Sequence, residues 1–401
     1  MSSPYVILLL ALLVLLAGTH VLTRRRMPRI LQPLLAGGLG YMVLGVLMGR
    51  HVGGLVGDDA LRELDPVINL AIGWVGLVLG LQLKWKDLKL ISWPDLLGSM
   101  IHFLVIAGAT SLGVLVVLVE YGHAAPLGTA LTLGLIAGTS SPTFLLLLEG
   151  ARAARTATGR RMLLYANLSC IYAILLHGLL SVWVFPQTDL AQWLAPAPRI
   201  GFTLLLAGML GIIFHFFLSQ GAANKRMALL LIGMMVFCGG IAAVTHIPPL
   251  FLNLLIGAWL INQARHGYRL YHFLVVYERP LFLTLLLVAG LLWVPIPGLW
   301  RVLIALLVLR TLIVAATRKL DSGLWPGNEE RAQGQDQVPP LSLLPLGGVA
   351  LAMAISHDQL NGQESVLALA VPAVLVFALV AVLFRKKRVV PVSPSSGDGS
   401  R

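Results

Sequence analysis

The sequence contains few charged residues and almost no cysteine. Asp, Glu, Lys and Arg together make up 11% of its 401 residues, whereas 58% are hydrophobic and the mean hydropathy is +0.87. This composition excludes a soluble globular protein. The two cysteines, Cys170 and Cys238, both lie in apolar runs, which excludes a disulfide framework and the paired spacing of a cysteine metal site. The chain is therefore predicted to be an integral membrane protein.

The sequence also lacks the motifs of the common enzyme classes. It has no P-loop, no HExxH pair and no nucleophile elbow, and its carboxyl-terminal tail has no dinucleotide-binding fingerprint. We therefore predict no enzymatic activity, no cofactor and no metal site. The formal charge of +12 could indicate nucleic acid, but the basic residues form short clusters between apolar runs, where they act as topology signals. No nucleic-acid partner is predicted.

Apolar runs of about twenty residues, the length that crosses a bilayer, recur along the chain. They predict an all-α integral membrane protein with about 13 transmembrane helices. Residues 1–388 form the predicted transmembrane, transporter-like domain, in which 321–338 is a cytoplasmic loop, and 389–401 form a disordered cytoplasmic tail. The predicted spans are 4–22, 29–49, 66–83, 96–119, 126–148, 162–184, 198–218, 227–245, 248–264, 280–296, 299–317, 339–357 and 365–384.

The basic residues are distributed unevenly between alternate loops. Of 29 Lys and Arg, 24 fall on one side of the predicted spans, four fall on the other side, and Arg310 lies within a span. Because cytoplasmic loops carry the excess of Lys and Arg, the amino terminus is predicted outside and the carboxyl terminus in the cytoplasm. A bacterial inner membrane is the expected location.

Two of the predicted spans contain segments that disfavour a continuous helix. Residues 139–142 of the fifth span read Thr-Ser-Ser-Pro, and residues 339–348 of the twelfth carry three prolines and a glycine pair. Irregular backbone at membrane depth persists only where it is buried in protein or lines a wet cavity. Secondary transporters hold their substrates at such breaks. The two spans lie an odd number of spans apart, so they cross the membrane in opposite directions, as inverted repeats require.

A simpler interpretation of such small residues is that they only allow helices to pack closely. We favour that interpretation for the second span, with Gly37, Gly38, Gly40 and Gly45. For residues 139–142 we favour a functional break.

Five segments, taken in order, resemble the cation:proton antiporter superfamily, and in particular its Kef-type and sodium/proton antiporter branch. The segment at 76–83 resembles a helix end of that family that usually carries glutamate, where this chain has Gln82. The segments at 139–142 and 344–352 resemble the two crossing helices of the family. The other two similar segments are 27–37 and 254–260.

This resemblance implies a fold with inverted repeats and two broken, crossed helices. It further implies a core domain that moves against a panel or dimerisation domain, a homodimer, and a monovalent cation (Na⁺ or K⁺) and a proton as ligands. In the family, exchange depends on one or two acidic residues in the helix that follows the first crossing helix. In this chain Ser169 and Cys170 occupy that place, and none of the 17 acidic residues lies deep within a predicted span.

The candidate ion site therefore combines the two breaks, a polar stretch of the sixth span and one buried cation. Arg310 must face protein or water, and its expected partners are carbonyls and hydroxyls at Thr139, Ser140 or Gly347. It either locks the crossing as a permanent cation or sets the charge of a substrate site. The candidate site residues are Thr139, Ser140, Ser141, Asn167, Ser169, Cys170, Arg310, Gly347 and Gly348.

Histidines within spans are the remaining groups that could carry a proton near neutral pH. His102, His177 and His215 lie in spans, and His177 is the nearest of them along the chain to Ser169. A lone histidine in a span can equally be a hydrogen-bonded helix contact. The possible proton carriers are His177 and the boundary acid Glu149.

Three functions remain open at this level. The leading hypothesis is a secondary transporter of the monovalent cation:proton antiporter type with altered or lost proton coupling. The first alternative is a sensor or membrane partner that uses the fold without transport. The second alternative is an anion transporter centred on Arg310, because hydroxyls and the amino ends of half-helices favour negative charge.

The distribution of basic residues gives a topology that can be tested. An alkaline-phosphatase fusion placed after Arg388 is expected to be inactive, because that position is predicted to be cytoplasmic and the reporter folds only outside. A matched fusion after Arg50, in a predicted outer loop, serves as the positive control. An active fusion after Arg388 would contradict the count of thirteen spans.

Overall fold

The computed structural model describes residues 31–57, 61, 63–123, 125–150, 156–183, 196–219, 224–263, 267–324, 343–362 and 365–383. These residues form α-helices joined by short connections, and no strand occurs among them. The helices are α1 (Leu31–Ala36), α2 (Leu39–Met48), α3 (Asp65–Gly80), α4 (Trp85–Leu88), α5 (Trp93–Glu120), α6 (Pro126–Gly138), α7 (Pro142–Glu149), α8 (Ala157–Trp183), α9 (Pro196–Ser219), α10 (Asn224–Thr245), α11 (Pro249–Gln263), α12 (Gly267–Leu291), α13 (Trp300–Leu324), α14 (Gly348–Asn361) and α15 (Ser365–Leu383).

Helices occupy twelve of the thirteen predicted spans, which confirms the all-α membrane fold. The first predicted span, 4–22, and the predicted tail at 389–401 lie outside the described residues. The cytoplasmic loop at 321–338 stays a prediction: α13 runs through residue 324, and residues 325–338 lie outside the described residues. The stretches that are long and apolar enough to cross a membrane include Trp93–Glu120, Pro126–Glu149, Gly159–Trp183, Pro198–Leu218 and Ser365–Leu383. The protein is a multi-pass membrane protein.

The helices pack in two groups. In one group, α3 packs against α10, α11 and α12, and α2 packs against α12. In the other group, α5 packs against α6, α8 and α13, and α14 packs against α15 and α6. Contacts of α8 and α14 with α11, and of α12 with α14, join the two groups. Both breaks lie in the second group.

Two glycine contacts show the inverted repeat directly. A Cβ added to Gly45 on α2 would lie 3.0 Å from the Cα of Gly290 on α12, and one added to Gly80 on α3 would lie 3.0 Å from the Cα of Gly257 on α11. The first pair joins the second and tenth spans, and the other pair joins the third and ninth spans. A shift of seven spans relates the second span to the ninth and the third span to the tenth, so it relates one pair to the other. The same shift relates the two broken spans, the fifth and the twelfth. The close approach of these helices is the role that we predicted for Gly45.

The same interpretation is wrong for Gly38. This residue has φ of +81° in the left-handed region, and it separates α1 from α2 within the second predicted span. Glycine adopts this conformation without a Cβ penalty, so Gly38 interrupts the helix and does more than allow a neighbouring helix to pack closely. The second span therefore consists of two helices.

The glycine contacts give a stability test. Gly45→Ala and Gly257→Ala would each place a methyl group against a backbone of the facing helix that cannot move aside. We expect each variant to lose about 1–3 kcal/mol of stability, the usual cost of overpacking. The measurement is the apparent melting temperature in detergent.

Gly108→Ala on α5 is the matched control, because nothing lies within 4 Å of its added Cβ. An equal melting temperature for Gly45→Ala and Gly108→Ala would contradict the helix pairing.

Candidate functional site

The first break begins where α6 ends at Gly138. Thr139 has an extended backbone with φ of −74° and ψ of 151°, and its hydroxyl donates to the carbonyl of Ile136 at 2.7 Å. The chain resumes as α7 at Pro142, a favoured first helical residue because it has no N–H to satisfy. The Ser141 hydroxyl accepts from the amide of Phe144 at 3.3 Å and so caps α7. The predicted departure from helix at residues 139–141 is confirmed.

The second break is the extended segment 344–347, which leads into α14 at Gly348. It meets the first break through the amide of Ser141, which donates to the carbonyl of Pro345 at 2.9 Å. The Ser140 hydroxyl donates to the carbonyl of Leu343 at 2.8 Å. A Cβ on Gly347 would lie 3.1 Å from the Ser141 hydroxyl, so the two backbones approach closely. The predicted crossing of the two breaks is confirmed.

Ser169 and Cys170 on α8 attach that helix to the first break. The Ser169 hydroxyl accepts from the amide of Ser140 at 3.2 Å and donates to the carbonyl of Ala166 at 2.9 Å. The Cys170 thiol donates to the carbonyl of Ser140 at 3.3 Å. Both side chains therefore bind backbone at the position where the resemblance would place an acidic pair.

Arg310 on α13 reaches both breaks from the opposite side. Its Nη2 donates to the carbonyls of Thr139 at 2.7 Å, Leu344 at 3.0 Å and Leu343 at 3.2 Å. Its side chain is 1% exposed, and its guanidinium carbon lies 5.1 Å from the centre of the Phe377 ring. The expected bond to Thr139 is present, while Leu343 and Leu344 take the places that we expected for Ser140 and Gly347.

The charge of Arg310 is stabilised by carbonyl dipoles and is not neutralised by an acid. Thr139 stands at the carboxyl end of α6, where the helix dipole is negative. Among the residues whose burial the structure describes, Arg310 is buried and every Asp or Glu is at least partly exposed. The Nε and Nη1 atoms of Arg310 have no hydrogen-bond partner among the described residues. The crossing is therefore a positively charged region with spare donors.

A cavity of about 620 Å³ reaches the crossing from one side. The amino ends of α7 and α14 border it, with Ser141, Gly347 and Gly348, and so does Cys170. Asn167 and Gln82 also line it, and it extends to the exposed Glu278 and Arg279 on α12. Ser169 and Arg310 are not among its lining residues and lie behind the crossing. A small polar solute in the cavity would therefore meet these polar side chains and the amino ends of α7 and α14.

The predicted proton carriers lie away from the crossing. His177 is buried on α8, eight residues beyond Ser169, which corresponds to about 12 Å along the helix. Glu149 is the last residue of α7 and is partly buried. His102 is partly buried on α5, with its ring 6.1 Å from that of Tyr165, and His215 is partly buried on α9.

Comparison with known proteins gives matches at the level of structure. No family model and no curated protein matches the sequence. A solved structure of the sodium proton antiporter MjNhaP1 from Methanocaldococcus jannaschii at pH 8 is similar over 95% of this chain and 95% of that chain, with a TM-score of 0.62 and 14% identity. The fold is that of a sodium/proton antiporter. An electron-microscopy structure of the same antiporter matches over 96% of this chain and 95% of that chain, with a TM-score of 0.59 and 14% identity.

Within this antiporter fold, the sequence reasoning missed one buried pair. His357 on α14 contacts Thr132 on α6, with 2.9 Å between its Nδ1 and the threonine hydroxyl, and both residues are buried. His357 is the last residue of the predicted twelfth span, and the same criterion that selected His177 would have found it. The sequence gives no signal for the other contacts of Arg310. Leu343 and Leu344 contribute only their backbone carbonyls and Phe377 the face of its ring, and an apolar residue type does not reveal either role.

The Arg310 contacts predict a loss of stability on substitution. Arg310→Met keeps most of the side-chain volume but leaves the carbonyls of Thr139 and Leu344 without their donor. We expect a loss of about 1.5–3 kcal/mol, the usual value of a hydrogen bond to a charged group. The apparent melting temperature in detergent measures this effect.

Arg301→Met is the matched control on the same helix, because Arg301 is exposed. If Arg310→Met melted at or above the temperature of the unmodified protein, the cost of burying the charge would exceed the value of its bonds, and the structural role would be refuted.

Proposed function

We propose that this protein is a secondary transporter that works by alternating access in the sodium/proton antiporter fold. The proposed ligands are a monovalent cation, Na⁺ or K⁺, and a proton, and coupling does not use carboxylate competition. The observation that carries this proposal is the cavity that reaches the crossed breaks while Ser169 and Cys170 bind backbone there.

The chemistry of the crossing supports altered coupling. A carboxylate can either hold a proton or, when ionised, coordinate a cation, so one site can exchange the two. A serine hydroxyl and a cysteine thiol offer lone pairs for a cation but keep their protons near neutral pH. Ser169 and Cys170 already bind backbone, so cation contacts at the crossing would come from other oxygens, such as those of Ser141 and Asn167, which border the cavity.

The membrane arrangement belongs to the same proposal. The distribution of basic residues supports an amino terminus outside and a carboxyl terminus in the cytoplasm, and the membrane we propose is a bacterial inner membrane. In that orientation the cavity, with Glu278 and Arg279 at its exposed part, opens to the cytoplasm. We further propose a homodimer of the Kef-type and sodium/proton antiporter branch, in which α5, α6, α8 and α13–α15 move together, and a transport role in place of an enzymatic one.

A second candidate function is anion transport, favoured by the donors of Arg310 that have no partner. Its Nε and Nη1 are buried, and the amino ends of α7 and α14 border the cavity. Helix amino ends attract negative charge. Among the residues whose burial is described, no buried carboxylate neutralises Arg310, and a small anion in the cavity would do so.

A pH-jump assay in proteoliposomes tests the proposed function. Sodium, potassium and lithium salts are supplied in turn, and the internal pH and the flux of each ion are recorded. We expect ion flux through the unmodified protein whose proton coupling differs from carboxylate exchange, because α8 has no acid at its contact with Ser140. Ser169→Asp, which adds an acid there, is expected to increase cation-driven proton movement.

His177→Ala, Glu149→Gln and Arg310→Ala identify the groups on which coupling depends. Cation-driven proton movement by the unmodified protein that persists in both His177→Ala and Glu149→Gln would exclude these two groups as the proton carriers. A flux that follows the anion instead of the cation would favour the second candidate. No flux of any ion would favour a sensor that uses the fold without transport.

A further inference from the structure

A buried polar layer lies about two helical turns from the crossing, on the side away from the cavity. Thr132 on α6 is seven residues before Thr139, and His357 on α14 is nine residues after Gly348. His177 on α8 lies eight residues beyond Ser169. At about 1.5 Å per residue, the three helices place these side chains at a similar height, about 10–14 Å from the breaks.

The three side chains of this layer are close to one another and shielded from solvent. Thr132 and His177 are 0% exposed and His357 is 2% exposed. The Thr132 hydroxyl and the His357 Nδ1 are 2.9 Å apart, and His177 is near enough to His357 for electrostatic interaction. A hydroxyl can accept from a protonated ring nitrogen or donate to an unprotonated one, so this hydrogen bond can persist in both protonation states of the histidine.

The layer also contains two buried hydroxyls that make no hydrogen bond with the described residues. Thr129, one turn before Thr132, and Ser356, next to His357, are buried, and their hydroxyls have no hydrogen-bond partner among the described residues. A buried polar group without a partner costs about 1–3 kcal/mol. Such groups are suited to a layer that becomes hydrated in another conformation.

The titratable groups near His357 include two histidines and the neighbouring Asp358. The helices packed against α14 are α3, α6, α8, α11, α12 and α15. His177 on α8 and His123, in the connection before α6, interact electrostatically with His357. The neighbouring Asp358 accepts hydrogen bonds from the amides of Val366 and Leu367 at 3.2 and 2.9 Å, so it is tied to the start of α15. Imidazole is the side chain that ordinarily changes charge between about pH 5 and 8.

We propose that His357, held by Thr132 and faced by His177, is the proton-binding site of this protein. The inference rests on the proposed transport function, and it places the proton on an imidazole away from the crossing instead of on an acid within it. A proton binds His357 from the side of His123 when the layer opens to water. When the layer closes, the ring releases this proton to water on the cavity side of the crossing and is neutral again. Protonation is then linked to the open form, because a charged ring is better hydrated there.

The sign of the pH dependence follows from this linkage. Lowering the pH protonates His357 and increases the population in which the layer is open to the outside. Thr129→Cys places a thiol in the layer, and its labelling by a membrane-impermeant thiol reagent in proteoliposomes reports that population. We expect labelling to increase as the pH falls from about 8 to about 5, the range in which imidazole titrates.

A thiol reacts more slowly at low pH, which opposes the expected change. Val52→Cys in an exposed connection corrects for this intrinsic effect. His357→Gln and His357→Asn are expected to abolish the pH dependence of Thr129→Cys labelling, and Thr132→Val to shift it. His215→Gln, a histidine on α9 outside the layer, is expected to leave it unchanged.

Ion flux measured on the same vesicles separates this inference from the proposed function. Labelling that depends on pH through His357 without any ion flux would support the proton site and refute transport. Ion flux together with labelling that keeps its pH dependence in both His357 variants would support transport and overturn the proton site. No labelling of Thr129→Cys at any pH, alongside normal labelling of Val52→Cys, would also overturn it.

Discussion

The interaction on which the rest of the site depends is the contact of one buried arginine with the backbone of two broken helices. Arg310 Nη2 binds carbonyls on both sides of the crossing, at Thr139 and at Leu343 and Leu344. Lipid provides no replacement for the helix bonds that a break removes, so these carbonyls need a donor from within the protein. The charge of Arg310 needs partners for the same reason. The Nη2 group of Arg310 supplies that donor, and the carbonyls in turn stabilise part of its charge.

This arrangement changes what α8 contributes. The first break needs a partner for the amide and the carbonyl of Ser140, and Ser169 and Cys170 supply it as an acceptor and a donor. A carboxylate at either position would also neutralise Arg310, and with it the positive character of the crossing. Without that carboxylate, the crossing keeps the positive charge of Arg310. Two buried histidines, His177 and His357, lie about two turns away on the side opposite the cavity.

Much of the fold could be predicted from the sequence, because hydrophobic length and helix-breaking residues are local signals. The apolar runs gave the spans, and the prolines and hydroxyl residues at 139–142 gave the first break at its observed position. Gly38 shows the limit of this reasoning, since a glycine that packs a helix and a glycine that ends one look alike until its φ is known.

The site was predictable in part. A charged residue in a span must find partners, which identified Arg310 and Thr139. The carbonyls of Leu343 and Leu344 could not be found, because any residue supplies a carbonyl and only the fold decides which one is near. His357 lies at the last residue of its predicted span, so the criterion that selected His177 applied to it as well, but its partner Thr132 is 225 residues away and only the fold brings the two together.

Hydrogen exchange at the crossing tests most directly whether Arg310 joins the two breaks. Exchange is measured by mass spectrometry on peptides that cover residues 139–144 and 343–350, in the unmodified protein and in Arg310→Met. The account predicts slow exchange at the amide of Ser141, which donates to Pro345, and faster exchange of both segments in the variant, while α2 and α12 keep their protection. Unchanged protection of both segments in Arg310→Met would contradict it.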